Sequence, residues 1–197
     1  LPTPAGAAIV DRLKQLHQEG QLANQSNILI MGLCGGLKSD YRIGDVVLYH
    51  ECIHSPHTPH PTPHTLFSDR PLTVQLQTKL GSHVPLVKGV TSDQVISSST
   101  EKQALSNHAD VVDMEGYPAL EFLSQLGLSV ATLRVVSDDC HHDIPDLANA
   151  FNPDGSLKPL AFALDLLRQP VAGLRLIRGS LTGLKVLQNT VRFLFSD

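Results

Sequence analysis

Apolar and polar positions along this chain follow two periods. From residue 6 to 17, Ile9, Leu13 and Leu16 recur at helical spacing behind Pro4 and Gly6, which predicts an amphipathic helix. NILIMG (27–32) is a short apolar run closed by glycine, the pattern of a strand buried on both faces. GLCGGLKSD (32–40) reads as a glycine-rich loop, and DVVLYHECI (45–53) as the next strand. SPHTPHPTPHT (55–65) holds four prolines, which fix φ and remove donors, so a loop is expected there. VPLVKGV (84–90), ADVVDM (109–114) and SVATLRVVSDD (129–139) read as strands, the last interrupted by Arg134. Helices are predicted over 99–107 with Thr100 as cap, over 115–127 with Pro118 in the first turn and Gly127 at the end, over 156–168 and over much of 171–195.

Apolar strands that alternate with amphipathic helices imply an α/β fold with a sheet covered on both faces. No repeat or linker divides the chain, so residues 1–197 are expected to form one domain. Ligands of such folds sit at the carboxyl ends of strands. The glycine and polar residues gather at those ends: Gly32 to Gly36, Ser92 and Asp93, Asp113 to Gly116, and Ser137 to Asp139.

Composition narrows the classes. Apolar residues make up 42 % of the 197 and charged residues 17 %, enough for a sizeable core and too ordered a mixture for a disordered chain. The net charge of −4 excludes the basic footprint of a nucleic-acid binder. The charge is uneven: residues 168–197 carry five bases (Arg168, Arg175, Arg178, Lys185, Arg192) against one acid, Asp197. Three cysteines, Cys34, Cys52 and Cys140, are an odd number without metal spacing and argue for a reducing compartment. The first residues, LPTPAGAAIVDRLKQL, lack a charged leader before an apolar block, and no apolar run is long enough to span a bilayer, so a cytoplasmic location is expected.

The chemistry worth explaining is a pair of acidic strand ends, VVDMEG (111–116) and LRVVSDD (133–139). Carboxylates on neighbouring strand ends can share one cleft, one as a proton donor and the other as an acceptor for hydroxyls. Acids also suit the first turn of a helix for its dipole alone, and spacing by itself favours that plainer reading. GLCGG (32–36) is neither a dinucleotide fingerprint nor a P-loop, and tight-turn glycines are the expected reading of it taken alone. His50, His54, His57, His60 and His64 surround the Pro-rich segment, and His141, His142 and Asp143 follow the last strand. They lack the paired spacing of a zinc site, so a solvated loop or lid is expected rather than a metal. Cys34 has no base beside it in sequence and reads as a small buried residue.

Taken together, the motifs resemble those of the nucleoside phosphorylase and nucleosidase superfamily. NILIMGLCGGLKSDYRIGDVVL is similar to its strand, glycine loop and "GD-V-V" strand, KGVTSDQVISS to its base-side loop, and ADVVDMEGYPALEFLSQLGLSVATLRVVSDD to its ribose motif and its "R-V-I-S-D" strand. The likeness runs through about residues 4 to 140. It implies a three-layer α/β/α fold with a mixed central sheet that lacks the family's N-terminal strands, since this chain starts near the helix that follows them. It implies cleavage of a purine nucleoside's N-glycosidic bond, by phosphorolysis or hydrolysis, with no metal or cofactor and phosphate as a co-substrate in the first case. Glu115 would accept hydrogen bonds from ribose hydroxyls, and Met114 would pack under the sugar. Asp138 would hydrogen-bond or protonate purine N7, oriented by Ser137. Val95 and Ile96 would line the base pocket, and Gly32 and Gly35 would pass near sugar and nucleophile. A serine of the family's glycine loop is replaced by Leu33, and an arginine used by some phosphorylases falls near Ile30, so the nucleophile stays open. A nucleoside-binding relative without turnover is the alternative.

IPDL, DGSLKPLAF and LLRQPVAGLRLIRGSLTGLKVL further resemble the hopanoid-associated phosphorylase branch, which implies adenosylhopane as substrate. In that tail, Leu174, Ile177, Leu181, Leu184, Leu187, Val191 and Leu194 recur at three- and four-residue steps, with bases off the stripe. A helix packed by that stripe on the body or on a second subunit is expected, and a peripheral membrane contact is the alternative. A homo-oligomer acting on a small-molecule nucleoside, without nucleic acid, completes the expectation.

Overall fold

The computed structural model describes residues 4–22, 27–55, 64–147, 150, 152 and 158–196. Twelve elements follow one another among them: α1 (Pro4–Gln18), β1 (Asn27–Gly36), β2 (Val46–Ser55), β3 (Thr65–Phe67), α2 (Arg70–Leu80), β4 (Leu86–Ser92), α3 (Ser99–Leu105), β5 (Val111–Asp113), α4 (Gly116–Gln125), β6 (Ser129–Asp138), α5 (Pro159–Arg168) and α6 (Pro170–Phe195). The strands form one mixed sheet in the order β3-β2-β4-β5-β1-β6. The first part of β2 also pairs antiparallel with β6, Val47 opposite Arg134, so the twisted sheet curls round to meet itself. The α/β fold with a mixed sheet is therefore the architecture of this chain.

The two-residue period of the strands sorts side chains between two cores. Ile28 and Ile30 of β1, Val47 and Tyr49 of β2, and Val130 and Val136 of β6 face α1 and α4, where Leu13, Leu16, Leu120 and Leu123 meet them. Leu29, Met31 and Leu33 of β1, Leu48 of β2, and Leu133 and Val135 of β6 face α2 and α6 on the other side. A third cluster, with Leu37, Val90, Ile96 and Val112, lies under α3.

Three expectations change. The glycine stretch 32–36 is not a loop but the second half of β1, bulged between Cys34 and Gly35, because β6 and β5 take up its backbone groups on either side. The chain after the Pro-rich segment holds β3 and α2, which apolar periodicity overlooked; Asp69 caps α2 by accepting from the Leu72 N–H at 2.8 Å, with Pro71 in the first turn. Ser98, not Thr100, caps α3, with Glu101 closing a capping box. Residues 56–63 of the expected His/Pro loop lie outside the described residues.

The terminal helix holds the largest difference. α6 does pack on β6 and β1, but through a narrow row of small residues as much as through leucines. Gly179 lies so close to the carbonyl of Ser137 that a Cβ there would overlap it, and a Cβ on Gly183 would fall 2.9 Å from Leu33. Of the expected stripe, Leu187 and Leu194 turn inward beside Val186. Leu174, Ile177, Leu181, Leu184 and Val191 stay in solvent.

This packing separates two substitutions that helix propensity alone would rank the other way. Gly179→Ala improves intrinsic propensity but must push α6 off β6, and is expected to cost about 1–3 kcal/mol in urea unfolding. Leu181→Ala on the exposed row is expected to stay within about 0.5 kcal/mol.

Candidate active site

The sheet register brings the acidic strand ends together. Gly35 of β1 pairs with Val112 of β5 on one side and with Asp138 of β6 on the other. Two strand spacings, about 10 Å, therefore separate the β5 and β6 backbones where both end. Asp113 closes β5, and Glu115 follows as the residue before the first turn of α4. Ser137 and Asp138 close β6.

The β5 end is anchored by a buried ion pair. Asp113 Oδ2 lies 2.8 Å from Arg134 Nη2 and accepts from Arg134 Nε at 2.9 Å, with the two side chains 3 % and 2 % exposed. Tyr49 donates to the same oxygen at 3.3 Å. Asp113 Oδ1 accepts from Thr91 Oγ1 at 2.7 Å and from the Gly116 N–H at 3.0 Å, while Thr91 Oγ1 accepts from the Tyr117 N–H at 2.8 Å. Strands β2, β4, β5 and β6 and the start of α4 thus share one network. Burial works against the charge on Arg134, yet Asp113 and Tyr49 hold its pKa above the ordinary arginine value. Gly32, the β1 partner of Arg134, leaves the guanidinium room, since a Cβ there would overlap Nη1.

Glu115 stands beside this network with its side chain open to solvent on one side and no capping bond to α4. Partial burial pushes its carboxyl above the usual glutamate range; Arg134 draws it down and Asp113 adds to the rise. A glutamate so placed is not consumed by the helix end, so its two oxygens remain available as acceptors.

Asp138 has different company. Its Oδ1 lies 2.8 Å from Ser137 Oγ, which also lies 3.1 Å from the Cys34 carbonyl. Its Oδ2 lies 2.5 Å from Lys102 Nζ, whose side chain is 1 % exposed and which also donates to the Asp139 carbonyl at 2.6 Å. Lys102 reaches inward from α3, a short helix held by its capping box and by Asp143, which accepts from the Ser99 N–H at 2.7 Å. Both oxygens of Asp138 are therefore met by donors, and a Cβ on Gly35 would fall 2.8 Å from Oδ2.

The other expected positions are distributed as follows. Met114 is half-buried between Asp113 and Glu115. Ile96 is 7 % exposed and packs with Leu37, Val90 and Val112, and Val95 beside it is half-buried. Cys34 is buried, and burial raises its thiol well above the ordinary value, as suits an unreactive core residue. His54 pairs with Asp93 at 3.0 Å and stacks on Tyr117, ring centres 5.4 Å apart. Asp139 binds His142, 2.9 Å from Nδ1, outside the network. Among the described residues no group of three or more His, Cys, Asp or Glu is gathered to hold a metal ion.

Sequence reasoning overlooked Lys102 and the Asp113–Arg134 pair. The pair left a signal: a lone arginine and a lone aspartate in two otherwise apolar strands can be buried only together. Lys102 left none, because nothing in STEKQAL separates an inward lysine from a solvated one.

The profile of the phosphorylase superfamily matches residues 7–168. No curated protein matches the chain. Among solved structures, 5′-methylthioadenosine/S-adenosylhomocysteine nucleosidase from Neisseria meningitidis, in complex with methylthio-immucillin-A, superposes with a TM-score of 0.66 at 17 % identity over 94 % of this chain and 74 % of that one. Futalosine hydrolase of Helicobacter pylori gives 0.61 at 17 % identity over 93 % and 73 %. A provisionally assigned methylthioadenosine nucleosidase from Weissella paramesenteroides gives 0.54 at 23 % identity. Of the Weissella protein the chain spans 64 % of the length. At these identities the likenesses establish the fold.

The ion pair yields a stability test. Asp113→Ala strands a buried guanidinium and is expected to cost about 3–5 kcal/mol in urea unfolding. Asp113→Leu combined with Arg134→Met removes both charges and is expected to recover most of that loss.

Proposed function

From the premise that the chain belongs to the phosphorylase superfamily, we propose that it cleaves the N-glycosidic bond of a purine nucleoside or nucleoside-like molecule and releases the base. The observation that carries this reading is the register at Gly35, which sets Asp138 and the β5 end bearing Glu115 on either side of one strand. Cleavage builds positive charge on the sugar and negative charge on the departing base. Glu115, in its carboxylate form, accepts from the ribose hydroxyls and fixes the ring, with Met114 beneath it. Asp138 serves N7 of the base from the β6 end. Val95 and Ile96 border the base, Gly35 lies between the two acidic ends, and the space at Gly32 goes to the Arg134 guanidinium rather than to the sugar.

The Lys102 contact shapes the proton's route. With donors on both oxygens, Asp138 is an acceptor in the ligand-free fold. The proton that N7 takes is then the one between Lys102 Nζ and Asp138 Oδ2: the N–H bond of the ammonium breaks, the carboxylate relays the proton, and N7–H forms as the glycosidic electrons move to the base. Lys102 is left as a neutral amine until solvent recharges it. A positioned relay of this kind is worth roughly 10²–10⁴-fold.

Phosphate or water as nucleophile is decided by the sugar product, ribose 1-phosphate or free ribose. A nucleoside with an apolar substituent, such as adenosylhopane, is the finer proposal. Its support is the resemblance of the tail and an apolar groove that reaches Gly179, whose backbone lies against Ser137. With the reading come a cytoplasmic homo-oligomer and no cofactor. The double anchoring of Asp138 favours one alternative, a binding protein that holds nucleosides without turnover.

Base release from adenosine and methylthioadenosine by the full chain, with and without phosphate, tests the reading. Calorimetry that finds binding but no turnover would favour the alternative. Glu115→Gln is expected to lower kcat/KM at least a hundredfold with an unfolding midpoint near that of the parent, and Asp138→Asn to lower it as far with a lower midpoint, because it leaves the buried Lys102 ammonium without its counter-charge. Lys102→Met is expected to do the same with a lower midpoint, because it strips Asp138 of its partner. Glu115 works as a carboxylate and its pKa is raised, so kcat/KM is expected to fall with acidification at a pH above that of an ordinary glutamate. A limb at the ordinary glutamate position would remove Glu115 from this role.

A further inference from the structure

α6 shows solvent the residues a soluble helix ordinarily hides. Leu174, Ile177, Leu181, Leu184, Val191 and Phe195 are between 37 % and 68 % exposed. At 100° per residue they fall within an arc of about 100°, running the length of a helix of 26 residues, about 39 Å. α5 extends the surface with Leu160, Leu164 and Leu167, 82 %, 52 % and 74 % exposed. This is no scatter of single exposed side chains, which would call for no explanation.

The charges beside that arc have one sign. Arg178, Lys185 and Arg192 recur every seven residues along its edge, with Arg175 near its start. No acid occurs from residue 166 to 196. Arg168 is tied to Asp165 at 3.1 Å; the other four bases have no carboxylate within ion-pair reach among the described residues. Near the start of α6 a groove of about 540 Å³ opens, walled by Ile43, Pro170, Val171 and Leu174 and bordered by Arg175 and Arg178. Its apolar floor and guanidinium rim repeat the pattern of the helix face, apolar row beside bases.

We propose that the α5–α6 face docks on an anionic lipid bilayer, with the leucine row in the acyl boundary and the bases at the phosphate level. Among the described residues no helix is long and apolar enough to cross a membrane, so the helix lies on the surface. The charge pattern selects this occupant over a second copy of the chain. Two such faces in an antiparallel pairing set one row of bases against another, whereas a bilayer rich in anionic lipid complements every base at once. The rest of the chain, with ten bases and eighteen acids, is repelled by the same surface, which orients the docked molecule with α6 beneath it.

The test is co-sedimentation of the full chain with vesicles of phosphatidylglycerol and phosphatidylcholine in equal parts, against vesicles of phosphatidylcholine alone. Binding to the first and at least tenfold weaker binding to the second is expected, with loss of binding between about 0.1 M and 1 M salt. Replacing Arg175, Arg178, Lys185 and Arg192 by Gln, or Leu181→Glu alone, is expected to weaken binding at least tenfold with unchanged unfolding midpoints, since these side chains lie on the outer face. Glu115→Gln is expected to bind vesicles like the parent, so failure of the nucleoside reading leaves this one standing. No binding to the anionic vesicles, equal binding by the variants, or a dimer in sedimentation equilibrium that Leu181→Glu splits would overturn the proposal.

Discussion

The Asp113–Arg134 ion pair is the constraint from which the candidate site follows. Two charges without water are costly unless they are paired, and here Tyr49, Thr91 and the Gly116 N–H fill the acceptor sites of Asp113 that Arg134 leaves open. Those partners come from β2, β4 and the first turn of α4, so the network holds four strands and a helix end in one relation. The guanidinium crosses β1 only because residue 32 has no side chain. Glu115 inherits its position from this arrangement: it is the residue between the anchored end of β5 and the anchored start of α4.

On the other side of β1 the logic is the same with a different cation. Lys102 comes from outside the sheet, on a helix of seven residues whose start is held by a capping box and by Asp143. It meets Asp138 and the Asp139 carbonyl where β6 ends. The two carboxylates of the site thus differ in kind. Glu115 is left with free acceptors beside a spent ion pair; Asp138 is an acceptor already engaged by a buried ammonium. In the proposed reaction, which needs one group to grip hydroxyls and another to deliver a proton, the division of tasks rests on that asymmetry.

The terminal helices obey a separate rule. A helix can approach a strand closely only where it lacks side chains, and Gly179 and Gly183 supply that approach over Ser137 and Leu33. Once the glycine face is inward, geometry turns most of the leucine row outward. Close packing on β6 and an apolar outer surface are consequences of one choice of face, which connects the site end of β6 to the basic, apolar exterior of the molecule.

Much of this was legible in the residues themselves. Apolar runs of strand length and amphipathic stretches of helix length identified most elements, because burial on two faces and burial on one leave different periods. The motifs VDMEG and RVVSDD stood at strand ends where they were expected. β3 and α2 escaped because three residues show no period and α2 is marked by its Asp69 cap rather than by an apolar stripe. The glycine run 32–36 carries no local mark that separates strand from loop: its hydrogen-bond partners lie some eighty to a hundred residues further along. The face α6 presents, the partner of Asp138 and the pairing of Asp113 with Arg134 were decided in the tertiary structure alone. Local sequence records how much of an element is buried, while which distant charge fills a buried vacancy depends on strand order, and strand order is a property of the whole chain.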